Sequence, residues 1–269
     1  MRACANAPKP AAAARKAARA WPPEHRAGPY DRGSIPGKSL RVSLLDCIEK
    51  ETGANPRWSV IWLHGLGADG HDFAPLVPEL VRRDWPAIRF VFPHAPVQPV
   101  TINGGMRMRS WYDIVSFDLA GRADSRGVDE SVARVEALIA REVERGTPAS
   151  RIVLAGFSQG GAVTLAAGLR RAEPLAGLVA LSTYLPLGTE ALARLGETPE
   201  PARRQPVFLA HGRQDPVVPF SAGQDAAQRL RALGMEVDWR EYPMAHQVCL
   251  EEIDDLRRWF QARLAPHSG

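Results

Sequence analysis

Three residues far apart in the chain have the types and the order needed for acyl transfer. Gly156-Phe157-Ser158-Gln159-Gly160 sets a serine between two glycines. A serine hydroxyl is a poor nucleophile at neutral pH and needs a base. When a serine sits on a strand-to-helix turn, the partners follow in the order Ser, Asp/Glu, His. Three acids after Ser158 fall near strand ends: Asp215, Asp225 and Glu241. Asp225 lies inside a helical segment, and Glu241 is too close to the histidine loop to be preferred. Asp215 follows an apolar run by the short loop His211-Gly212-Arg213-Gln214. His246 stands just before the last helix, whereas His267 is terminal. The spacing therefore predicts Ser158 as nucleophile, His246 as base and then acid, and Asp215 as the group that orients the imidazole.

The elements that must carry these groups follow from hydropathy patterning. Strands are expected at 58–63, 88–92, 151–155, 176–181, 206–210 and 236–241, with an edge strand or hairpin arm at 40–48. Helices are expected at 70–82, 128–145, 160–171, 189–195, 221–233 and 247–264. Residues 93–121, rich in Pro and Gly, read as a long loop. Strand–helix alternation over some 220 residues predicts an α/β fold, a mostly parallel central sheet with helices on both faces. No internal repeat is visible. The pentapeptide alone is a weak signal, and its place between strand 151–155 and helix 160–171 strengthens it. Gly156 and Gly160 remove Cβ atoms that a sharp turn would bring into collision. The competing reading is a Gly-rich turn with a capping serine.

A tetrahedral intermediate needs two N–H donors for its oxyanion. One comes from the residue after the nucleophile, Gln159, and the other from the loop after an early strand. That loop is His64-Gly65-Leu66-Gly67, so Leu66 is the expected second donor. Gly65, Gly67 and Gly70 also fit a dinucleotide spacing, but Asp69 stands where a phosphate would approach and no other nucleotide feature accompanies them. His64 and His71 have no carboxylate or cysteine between them in a pattern suited to zinc. No metal and no cofactor are expected.

Composition narrows the remaining classes. The 269 residues are 45% hydrophobic and 24% charged, enough apolar material for a substantial core. No apolar run reaches the roughly 18 residues of a membrane helix, so no integral membrane association is expected. The net charge of +4 sits in residues 1–39, which carry eight Lys/Arg and two acids; the rest is slightly acidic. That distribution argues against a nucleic-acid partner. Residues 1–39 read as a disordered or weakly structured extension and 40–269 as one domain. Ten of the first twenty residues are Ala, but Arg15 and Lys16 interrupt the apolar run, against a secretory signal. A plain extension is favoured over a transit peptide. Three cysteines (Cys4, Cys47, Cys249) form no disulfide framework and suit a reduced, cytoplasmic protein.

Several stretches resemble the phospholipase/carboxylesterase group of α/β-hydrolases, which includes acyl-protein thioesterases and small bacterial carboxylesterases. They are LHGLGADGHDF (63–73), FPHAPVQPVTINGGMRMRSWYDI (92–114), GFSQGGAVTL (156–165), LSTYLP (181–186), HGRQDPVVP (211–219) and YPMAH (242–246). The 92–114 stretch is the most specific. The resemblance implies cofactor-free hydrolysis of a small-molecule ester or thioester by Ser158, Asp215 and His246, with Leu66 and Gln159 as oxyanion donors. Acyl-protein thioesterase or lysophospholipase activity is the close alternative. A non-catalytic relative that binds an acyl ligand or a partner is the alternative from another class. The resemblance also implies an apolar acyl groove flanked by 93–121 and Tyr184–Leu187. Trp111 is its candidate wall, with a core-packing role left level beside it. Ala245 and Thr183 stand where the group often has Gly. A homodimer is left open, and residues 1–39 have no counterpart.

Overall fold

The computed structural model describes residues 43–115, 124–188 and 205–264. The extension 1–39 and the helix expected at 189–195 lie outside the described residues. Seven strands form one sheet in the order β1-β3-β2-β6-β7-β8-β9. These are β1 (Cys47–Glu51), β2 (Trp58–Leu63), β3 (Ile88–Pro93), β6 (Ile152–Phe157), β7 (Gly177–Leu181), β8 (Val207–Gly212) and β9 (Val237–Tyr242). All neighbours are parallel except β1, which runs antiparallel to β3 at one edge.

Side-chain alternation along the central strands feeds two cores. Ile61, Leu63, Leu154, Leu178 and Leu209 face one side, with α2 (Ser125–Glu144), α3 (Gln159–Arg170) and α4 (Phe220–Ala232). Val60, Trp62, Val153, Val179 and Phe208 face the other, with α1 (Val77–Leu80) and α5 (Leu250–Leu264). Strands buried on both faces read as continuous apolar runs, which is why 58–63 was legible to the residue. No described helix is long and apolar enough to cross a membrane.

Three expectations shift. The edge strand expected at 40–48 is Cys47–Glu51; an edge strand needs only one apolar face, so its apolar run is a poor guide to its limits. The helix expected over 70–82 shrinks to a 3-10 turn, Ala74–Leu76, and the single turn of α1. Pro75 and Pro78 lack the N–H groups a longer helix would use. The long loop contains a hairpin, β4 (Val97–Val100) and β5 (Met106–Arg109). Gly104 and Gly105 turn it at φ 65° and 77°, and Pro99 is tolerated because the two-stranded sheet is all edge. Its turn end is tied by Thr101, whose N–H and hydroxyl both donate to Asp113, at 2.7 and 2.5 Å.

Candidate active site

Ser158, Gln159, Leu66, Asp215 and His246 lie at or just beyond the C-terminal ends of strands of the large sheet, where open α/β sheets place their ligands, whereas Trp111 follows β5 of the small one. Ser158 follows β6 with φ 53° and ψ −120°, a conformation that non-glycine residues avoid. The turn is held from both sides. The Ser158 N–H donates to the Leu181 carbonyl at 2.9 Å, while its own carbonyl accepts from the Ala162 N–H and the Thr183 hydroxyl, the latter at 2.6 Å. A Cβ on Gly156 would lie 2.4 Å from the Gly160 carbonyl, and one on Gly160 would lie 2.4 Å from that of Leu63. These contacts press the start of α3 against the end of β2. The Ser158 side chain makes no capping hydrogen bond, against the capping reading.

Asp215 and His246 meet because β8 and β9 are neighbours and their loops stay paired. Arg213 N–H donates to the Tyr242 carbonyl and Gln214 N–H to that of Met244. Gly212 permits this approach, since a Cβ there would lie 2.3 Å from the Met244 carbonyl. His246 Nδ1 donates to Asp215 Oδ2 at 2.7 Å. Asp215 Oδ1 accepts the N–H groups of Val217 and Val218, at 2.8 and 2.9 Å. Burial works to raise the Asp215 carboxyl, but hydrogen bonds from His211, His246, Val218 and Val217 outweigh it and hold it well below the usual range. It stays ionised beside the imidazole.

His246 lies against the elbow through Phe157, with ring centroids 4.7 Å apart. Among the described residues the Ser158 hydroxyl forms no hydrogen bond, whether to His246 or to another group. Nucleophile–base contacts are commonly loose until substrate enters.

The loop after β2 lies against the same turn, with a Cβ on Gly65 falling 3.5 Å from Ser158 Cβ. The Gly67 N–H donates to the Arg109 carbonyl, Ala68 N–H to Gly65, and Gly70 N–H to His94 Nδ1. Among the described residues no acceptor pairs with the Leu66 N–H, and the Gln159 N–H, at the start of α3, has no intrahelical partner. His64 is buried and neutral. Its Nε2 accepts from the Ala95 N–H, so its Nδ1 donates to the Gly65 carbonyl at 2.7 Å. Burial pushes its pKa down to about 4.

Sequence reasoning missed several supports. It used Gln159 only for its backbone, yet the buried amide binds the Trp111 N–H and the Tyr112 carbonyl, tying the elbow to residues beyond β5. His211 is fully buried beneath Asp215, with Nε2 donating to the Val218 carbonyl at 2.9 Å and lying 3.4 Å from Asp215 Oδ2. The sequence signal for His211 was its place one residue before Gly212 at a strand end.

A family model described as phospholipase/carboxylesterase matches residues 48–264. The chain belongs to the phospholipase/carboxylesterase family. Acyl-protein thioesterase 1 of Neurospora crassa is 42% identical over 213 residues, 77% of this chain and 86% of that one. Acyl-protein thioesterase 1 of Yarrowia lipolytica is 40% identical over 241 residues, 88% and 98% of the two chains. Among solved structures, Arabidopsis thaliana SOBER1 matches with a TM-score of 0.72 at 33% identity, covering 77% of this chain and 99% of that one. Zea mays acyl-protein thioesterase 2 matches with a TM-score of 0.70 at 28% identity, covering 82% and 100%.

One expectation drawn from the phospholipase/carboxylesterase resemblance needs correction. Trp111 has no exposed surface and lines no open groove. Its indole N–H donates to the His64 carbonyl at 2.9 Å and its ring stands 5.3 Å from that of His64, so it takes the core-packing role under the loop. Tyr184, Leu185 and Leu187 are also buried, with the Tyr184 hydroxyl 2.5 Å from that of Tyr112.

Proposed function

We propose that this chain hydrolyses carboxylic esters and thioesters through an acyl-enzyme on Ser158. The strained elbow conformation of Ser158, together with the Asp215–His246 pair packed against the elbow through Phe157, carries that reading. His246 Nε2 takes the Ser158 proton as Oγ attacks the acyl carbonyl. Asp215 holds the other ring nitrogen and stabilises the imidazolium. The N–H groups of Leu66 and Gln159 bind the oxyanion, and loss of one such donor typically costs about 3–4 kcal/mol of barrier. The intermediate collapses, and the alcohol or thiol leaves with the proton from His246. Water, deprotonated by His246, then attacks the acyl-Ser158 ester; a carboxylate leaves and the Ser158 hydroxyl is restored. No cofactor takes part.

Acyl-protein thioesterase activity is the more specific reading, supported by relatives of that name at 40–42% identity. The free thiols of Cys47 and Cys249 suit a reducing, cytoplasmic setting. A fluorophosphonate probe should label the wild-type protein and not Ser158→Ala. Failure of the folded wild type to label would favour the binding-only alternative. An acyl chain-length series on matched oxygen esters and thioesters separates esterase from thioesterase preference.

A further inference from the structure

Three side chains that the ester chemistry does not use meet beside the loop that carries Leu66. Asp69 and His71 belong to that loop, and His94 directly follows β3. One donor atom from each lies within 4.8 Å of the others. Asp69 Oδ1 and His71 Nδ1 are 3.1 Å apart, and the His71 and His94 ring centroids 5.5 Å. Asp69 and His94 are half-buried and His71 is exposed. Two imidazoles and one carboxylate form a donor set for zinc and its neighbours; calcium and magnesium prefer oxygen donors throughout. Metal–ligand bonds of about 2.0–2.1 Å place donors of one tetrahedral site about 3.4 Å apart. Asp69 and His71 already meet that spacing, and binding requires the side chains to close at most the difference from 4.8 Å toward His94. We propose that Asp69, His71 and His94 bind one borderline transition-metal dication, with water in the fourth position, and that this ion lowers hydrolytic activity.

The link to activity runs through His94. Its Nδ1 accepts the Gly70 N–H at 3.1 Å, so the neutral ring carries its proton on Nε2. A metal needs a free lone pair on the ring. Coordination at Nδ1 displaces the Gly70 N–H directly. Coordination at Nε2 moves the proton to Nδ1, where it faces the Gly70 N–H. Either route removes the bond that anchors the loop at Gly70, four residues beyond Leu66. The anchor from Gly67 to the Arg109 carbonyl remains, so the loop loosens rather than unfolds. This second step rests on the oxyanion role proposed for Leu66; the binding step does not.

Calorimetric titration of the full chain with zinc alone should show one ion bound per protein, with affinity at least tenfold weaker in His71→Ala and in Asp69→Asn. Hydrolysis of a short p-nitrophenyl ester should fall as that site fills and recover on adding a chelator. His71→Ala should keep its metal-free turnover and lose the inhibition. Unchanged zinc affinity in both variants overturns the site. Equal inhibition of wild type and His71→Ala places the inhibiting ion elsewhere and also overturns it. Binding that is lost in the variants but leaves wild-type turnover untouched overturns the link through Gly70. A wild type with no metal-free turnover would contradict the hydrolase reading, and calorimetry would still decide the site.

Discussion

The elbow at Ser158 and the loop at Leu66 lie against one another but are held in different ways. At the elbow, backbone presses on backbone: Gly156 meets Gly160, and Gly160 meets the Leu63 carbonyl. The loop is instead hung from distant groups: the Arg109 carbonyl, His94 Nδ1, the Ala95 N–H and the Trp111 indole. Contact between main chains leaves almost no room for substitution. Three of these anchors use a side chain (His94, His64 and Trp111) and admit change, because each can be removed singly by substitution. The proposed nucleophile is thus fixed by steric exclusion, and one proposed oxyanion donor by a set of separable hydrogen bonds.

The largest break in this contrast should come at the nucleophile itself. Ser158→Ala should lower kcat for a p-nitrophenyl ester by about 10⁵–10⁶-fold, with far-UV circular dichroism unchanged. Gly160→Ala tests exclusion at the elbow. Its Cβ would fall 2.4 Å from the Leu63 carbonyl, so urea unfolding should show a loss of more than about 3 kcal/mol. In the loop, Gly67→Ala meets only Met108 Sδ at 3.7 Å, and its φ of 79° should cost only about 1–2 kcal/mol.

The loop should respond to pH where the elbow does not. Burial pushes the His64 pKa down from the ordinary 6.5 to about 4 in the folded chain. Below 6.5 the unfolded chain takes up a proton that the folded chain refuses, so stability present at neutral pH is lost as pH falls from 6.5 towards 4. At about 1.4 kcal/mol per unit, the contribution lost by pH 4.5 is about 2–3 kcal/mol. The pH dependence of urea unfolding should be shallower in His64→Asn by that amount; an equal slope would show that His64 is not held neutral. The smallest effect is expected from Trp111→Phe, which keeps the packing and removes the donor to the His64 carbonyl. An approximately tenfold fall in kcat with little change in KM should follow. A change confined to KM would return Trp111 to the substrate groove.

The strands, and the placing of Ser158, Asp215 and His246 beyond strand ends, were legible because both depend on local patterns. Doubly buried strands show as apolar runs, and a strand-to-helix turn this sharp tolerates only small neighbours. The hairpin β4–β5 was not legible, since Pro99, Gly104 and Gly105 give the same composition to an irregular loop. The histidines mark the limit most clearly. Sequence spacing set His71 beside His64, whereas the fold buries His64 under the loop and brings His94 to His71 beyond the ends of the paired strands β2 and β3. By itself, the sequence determined most of the strands and longer helices, the sharp turn at Ser158 and the chain order of the proposed reacting groups, because each follows from residues close along the chain. Only the tertiary structure decided that Trp111 and Gln159 brace the site, that Gly212 lets His246 reach Asp215, and that Asp69, His71 and His94 converge. Those are contacts between segments that strand pairing brings together, and no local spacing encodes them.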